Sequence, residues 1–111
     1  PLKEQAEGLA CAVKNSNTIK DQLDKLNFYY KTRNLLGMYN LAFNNPDDVC
    51  KSSKEQENAV NKDRNDKWVK KLPQIMKDKS SLVAVGALHL AEQEGILYQL
   101  SQLGYKIEPV K

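Results

Sequence analysis

Ser81-Leu82-Val83-Ala84-Val85-Gly86-Ala87-Leu88-His89-Leu90 is an apolar run with two β-branched valines, and it ends on the chain's only histidine. Such a run without flanking helix punctuation predicts a buried strand of a parallel sheet. Ligand chemistry in open α/β sheets gathers at the carboxyl ends of strands, which makes His89 a candidate site residue. Position alone leaves an equal alternative, an ordinary loop histidine hydrogen-bonded to backbone. Downstream, Ile96, Leu100 and Leu103 form one helical stripe that Gly104 stops. Tyr105, Ile107 and Pro109 then alternate with Lys106 and Glu108 as a short edge strand.

Upstream of the run, the periodicity is helical. Leu2, Ala6, Leu9 and Val13 mark a first helix ending near residues 14–17. Thr18 and Asp21 resemble a capping box for a second, with Ile19, Leu23, Leu26 and Tyr30 as its stripe. A third, carried by Leu35, Tyr39, Ala42 and Phe43, stops at Asn44-Asn45-Pro46-Asp47-Asp48. Ser53 with Gln56 predicts the capping box of a fourth, running to about Lys71, with Pro73 forcing a break or kink.

The expected fold class is therefore mixed, helix-rich α/β. A helical, insert-like bundle over residues 1–60 precedes residues 61–111, a helix and a right-handed strand-helix-strand unit. Two strands do not make a stable sheet, so this unit is expected to complete a larger parallel or mixed sheet, the chain being a fragment of one larger domain.

Composition narrows the function classes. With 111 residues, 41% hydrophobic and 28% charged, the chain has the make-up of a globular domain. Its longest apolar stretch, about ten residues, falls short of the roughly twenty that span a bilayer, so no membrane-spanning segment is expected. The net charge of +3 is mild. Lys62, Lys67, Lys70, Lys71, Lys77 and Lys79 are interleaved with Glu55, Glu57, Asp63, Asp66 and Asp78 and lack alternating aromatics, which argues against nucleic-acid binding. Cys11 and Cys50 lack metal-ligand spacing. Paired, they would close a loop worth roughly 4 kcal/mol of chain entropy in an oxidising compartment; two separate buried thiols are the alternative.

Val60, Arg64, Trp68 and Leu72 recur every fourth residue, so Arg64 falls on the expected inner stripe of the fourth helix. A guanidinium there either snorkels with its stem along Trp68 or binds a carboxylate or phosphate as an anion clamp, and Asn65 could extend such a site as a neutral donor and acceptor. Trp68 itself and the tyrosines fit helix packing.

Asp63-Arg64-Asn65-Asp66-Lys67-Trp68, Gly86-Ala87-Leu88-His89-Leu90, Gly95-Ile96-Leu97 and Gly104-Tyr105-Lys106-Ile107-Glu108-Pro109-Val110 together resemble the C-terminal portion of the TraB/PrgY/GumN family. The animal Tiki proteases belong to the same broad group. The motif match covers residues 63–110; residues 1–60 match in pattern only.

The resemblance implies a larger α/β protein with two GxxH motifs and an acidic residue, of which the second motif is Gly86 to His89. It makes His89 a metal ligand, Arg64 the family's arginine, and the early helices an inserted bundle; independently of it, Gly86, with no Cβ, would let backbone or metal approach closely at the strand end. Divalent metal (Mn, Co or Zn) is implied for the whole protein, none for this segment by itself. The chain departs from the family in having Ala91 and Glu92 where Pro-Gly is common.

Three readings follow from the resemblance and the residues. The first is a metal-dependent, peptidase-like hydrolase acting on a peptide or small anionic substrate, with Arg64 and His89 catalytic. The second is a peptide- or signal-binding regulator of the same fold. The third is a helical module forming homo-oligomers by strand exchange. The cysteine pair and the resemblance favour an exported bacterial protein.

Overall fold

A computed structural model describes residues 2–111. In order they form α1 (Leu2–Lys14), α2 (Ser16–Lys31), α3 (Leu35–Phe43), α4 (Lys54–Val60), α5 (Lys62–Met76), a 3₁₀ turn (Ala87–Leu90) and α6 (Ile96–Gln102). The chain divides into two compact units, residues 1–56 and Glu57–Lys111. No helix is long and apolar enough to cross a membrane.

In the first unit, local chemistry sets the helix ends. Arg33, at φ 58°, closes α2, with the Asn34 N–H donating to the Tyr29 carbonyl and the Arg33 N–H to that of Tyr30. Asn34 then caps α3 by accepting from the Gly37 N–H at 2.8 Å. A Cβ on Gly37 would fall 2.8 Å from the Tyr29 ring, so this cap and that ring leave room only for glycine. The Thr18 capping box does not form, because α2 starts earlier, at Ser16. Asn15 ahead of it sends its amide to the Cys11 carbonyl instead. Cys11 and Cys50 are joined in a disulfide with a Cα–Cα distance of 5.8 Å. The Ser53–Gln56 box is made reciprocally: the Ser53 N–H donates to Gln56 Oε1 and the Gln56 N–H to Ser53 Oγ.

In the second unit, α5 and α6 pack through Val69, Leu72, Ile96 and Leu100, with Trp68, Met76, Val85 and Leu90 at the margin. Helix α5 continues through Pro73 to Met76 rather than breaking there. The proline costs it one bond near its end, while the interruption falls earlier, at Asn61 between α4 and α5. Gly104, at φ 93°, ends α6, and the Tyr105 N–H returns to the Leu100 carbonyl.

The expected strand-helix-strand unit, and with it the α/β class, is overturned: the described residues contain helices and no strand or sheet. Residues 80–86 lie outside any helix but have no neighbouring backbone to complete a ladder, and a lone extended segment has no sheet stability. The apolar character of the run is used differently. Val85 and Leu90 join the core of α5 and α6, whereas Leu82 is 97% exposed. The Gly86 carbonyl accepts from the His89 N–H and starts the 3₁₀ turn that carries His89. Residues 105–110 likewise pair with nothing in a sheet.

Helix packing, not strand burial, therefore carries this unit. Leu72→Ala is expected to cost about 2–5 kcal/mol as a core truncation, and Leu82→Ala to stay within about 0.5 kcal/mol. Urea unfolding of both variants checks this, and equal losses would contradict it.

Candidate functional site

The turn of α5 nearest the 3₁₀ segment presents an unusual inner stripe. Asn61, Asn65, Val69 and Leu72 are its buried residues, and Asn65 is completely inaccessible. A buried side-chain amide is tolerated only where its polar atoms are paired. Asn65 Nδ2 donates to the Glu94 carbonyl at 2.8 Å and lies 3.4 Å from Asn61 Oδ1. Asn65 Oδ1 stands 2.8 Å from His89 Nδ1.

These contacts settle the imidazole's tautomer. The Glu94 carbonyl only accepts, so the amide nitrogen of Asn65 must face it and the amide oxygen must face the ring. His89 Nδ1 therefore carries a proton and donates it to Asn65. No buried side-chain nitrogen or oxygen among the described residues lacks a partner. Since the ring's hydrogen bond is made through Nδ1, its other nitrogen, Nε2, is left accessible with a lone pair. Burial, and secondarily the Arg64 charge, pushes the His89 pKa below its usual 6.5. The ring is neutral at neutral pH, the state in which imidazole binds a metal or accepts a proton.

Trp68 links this histidine to the arginine. Its ring meets the imidazole edge-on, with centroids 4.9 Å apart, and the Arg64 guanidinium carbon lies 5.2 Å from the indole centroid. Arg64 is exposed, one position off the buried stripe, because the stripe passes through Asn61 and Asn65 rather than Val60 and Arg64. Its guanidinium lies over the indole on an exposed side chain, where it is available to an anion. Asn65 serves His89 rather than extending the arginine's reach.

Around them a polar brace fixes the loop before α6. Gln99 Nε2 donates to Asp66 Oδ1 and to the Glu94 carbonyl, both at 3.0 Å. Asp66 also holds Lys62 at 2.6 Å, and that hydrogen bond is the main reason its carboxyl titrates below the usual value. Gly95 is required sterically: a Cβ there would lie 2.4 Å from the Ala91 carbonyl oxygen. Gly86 is different, since a Cβ would make an ordinary 3.8 Å contact with His89 Cδ2. Glu92 sits at φ 60°, a conformation that favours glycine. The loop after His89 thus holds a strained residue at Glu92.

Sequence reasoning missed Asn61, Gln99 and the Glu94 carbonyl. Asn61 and Asn65 carried one legible hint, falling in four-residue register with Val69. Among the described residues no three His, Cys, Asp or Glu are grouped so as to hold a metal ion. His89 can offer a metal one ligand; these residues do not make a metal centre.

The sequence model of the TraB/PrgY/gumN family matches residues 1–109. No curated protein and no solved structure matches the chain.

The lowered His89 pKa links folding to pH. Below 6.5 and above the folded-state value, the unfolded chain binds more protons than the folded one. The His89 contribution is thus complete above pH 6.5 and is lost as pH falls through the folded-state pKa. Urea midpoints taken from pH 7.5 downward should fall for the wild type and fall less for His89→Gln, and parallel profiles would contradict the assignment.

Proposed function

Because the chain belongs to the TraB/PrgY/gumN family, we propose that it supplies one side of a hydrolytic, peptidase-like site built on His89 and Arg64. The observation that carries this is the 2.8 Å bond from His89 Nδ1 to the fully buried Asn65. A histidine held through one nitrogen, neutral and accessible at the other, is arranged for work at Nε2.

In that role Nε2 takes a proton from an attacking water and returns it to the leaving amine. Asn65 keeps the ring in the tautomer that makes this direction of transfer available. The Arg64 guanidinium binds a substrate carboxylate or the oxyanion that develops at the scissile carbonyl. A divalent metal, Mn, Co or Zn, belongs to this proposal only as a group to which His89 adds a single ligand. A catalytic centre needs about three protein ligands, and the described residues do not assemble them. No step above depends on it. The Cys11–Cys50 disulfide supports an exported, oxidising location for the protein.

Peptide turnover with each metal added in turn, followed by mass spectrometry, tests the proposal. His89→Ala should lower kcat by ~100-fold or more, the range of a lost general acid–base group. Arg64→Gln should chiefly raise KM for peptides with a free carboxylate. Tight peptide binding without any cleavage would replace the catalytic reading with sequestration, and cleavage that survives His89→Ala would end it.

A further inference from the structure

The first unit has little apolar interior to hold it. Among its described residues only Met38 is buried. Helices α1 and α2 have no buried residue, and Leu2, Leu9 and Val13 of α1 are exposed. An isolated helix of α1's 13 residues is marginal in water, so its order depends on tethering. The tether is covalent: the disulfide joins Cys11, in the last turns of α1, to Cys50, in the segment ahead of α4. Glu4 adds an exposed hydrogen bond, accepting from Gln56 Nε2 at 2.8 Å.

The disulfide also has a polar neighbour suited to its cleavage. Asn15 Nδ2 lies 3.6 Å from Cys11 Sγ and 3.8 Å from Cys50 Sγ, and it is oriented by donating to the Cys11 carbonyl at 2.9 Å. An amide donor beside a sulfur stabilises the thiolate that leaves when the bond is attacked, and a stabler leaving group departs faster. Both cysteines are partly accessible, as exchange requires.

We propose that the Cys11–Cys50 disulfide is a redox latch, whose reduction by a dithiol releases α1 and the segment 44–53 while the unit carrying His89 keeps its fold. One thiolate of the dithiol attacks a sulfur of the pair, the S–S bond breaks, and the departing cysteine thiolate takes up a proton. The second thiol of the reductant then resolves the mixed disulfide. Two electrons pass from the dithiol, which becomes a disulfide, to the pair, which becomes two thiols. The second unit contains neither cysteine, and its helices are held by the packing of α5 on α6.

Hydrogen exchange of the whole chain, read peptide by peptide with dithiothreitol as the reductant, tests this. Alkylation of both thiols, seen by mass, confirms complete reduction. Amides of residues 2–14 should exchange at least tenfold faster after reduction, those of residues 62–76 and 96–102 should be unchanged, and reoxidation should restore the first set. Cys50→Ser should show the same pattern without reductant. Unchanged protection in α1 after full reduction would overturn the latch. Protection lost together in both sets would overturn the independence of the second unit. Asn15→Ala should slow reduction several-fold with the disulfide intact, and an unchanged rate would remove Asn15 from the account.

Discussion

A single buried amide sets the chemistry of this chain. Asn65 has no solvent contact, so each of its polar atoms must find a partner within the protein. Its nitrogen is committed to the Glu94 carbonyl, which leaves its oxygen for the imidazole. Removing that amide would leave the ring nitrogen without its acceptor, at a cost of about 1–3 kcal/mol, and the Glu94 carbonyl with Gln99 as its one remaining side-chain donor. The loop before α6, the 3₁₀ turn and α5 are thereby tied through one side chain, and the histidine's tautomer follows from the tie.

The surrounding construction serves the same end. Gln99 shares the Glu94 carbonyl with Asn65 and reaches Asp66, so α6 is braced against α5 by polar contacts beside the Val69, Leu72, Ile96 and Leu100 core. Gly95 allows the loop backbone to close on itself, and Glu92 accepts a left-handed conformation to do so. Backbone strain of about 1–3 kcal/mol persists only where the surroundings hold it. Here it lies three residues beyond His89, in the loop that presents the Glu94 carbonyl. Trp68 completes the arrangement by giving the imidazole and the guanidinium one common aromatic neighbour.

Much of the helical organisation was legible because its signals are local. The spacing of Leu2, Leu9 and Val13 located α1, Asn44 and Pro46 stopped α3, Ser53 and Gln56 formed their box, and Gly104 ended α6. The run at 81–90 was misread because apolar content states that a segment prefers to leave water, not which partner receives it. With no strand beside it, Val85 and Leu90 turned to the helices and Leu82 stayed exposed. His89 and Arg64 were legible as candidates, but the element joining them was not. An asparagine on an apolar stripe is indistinguishable in sequence from a solvent-facing one, and the stripe of α5 was consequently drawn one residue away, through Arg64. The Asn61 interruption has no proline or glycine to announce it.

The imidazole's protonation state is the most direct test of the whole account. Nitrogen-15 correlation spectra of His89 across pH report both which ring nitrogen carries the proton and the pKa. The account predicts a neutral ring protonated at Nδ1, with a pKa below 6.5. A ring protonated at Nε2, or one that titrates above that value, would contradict it.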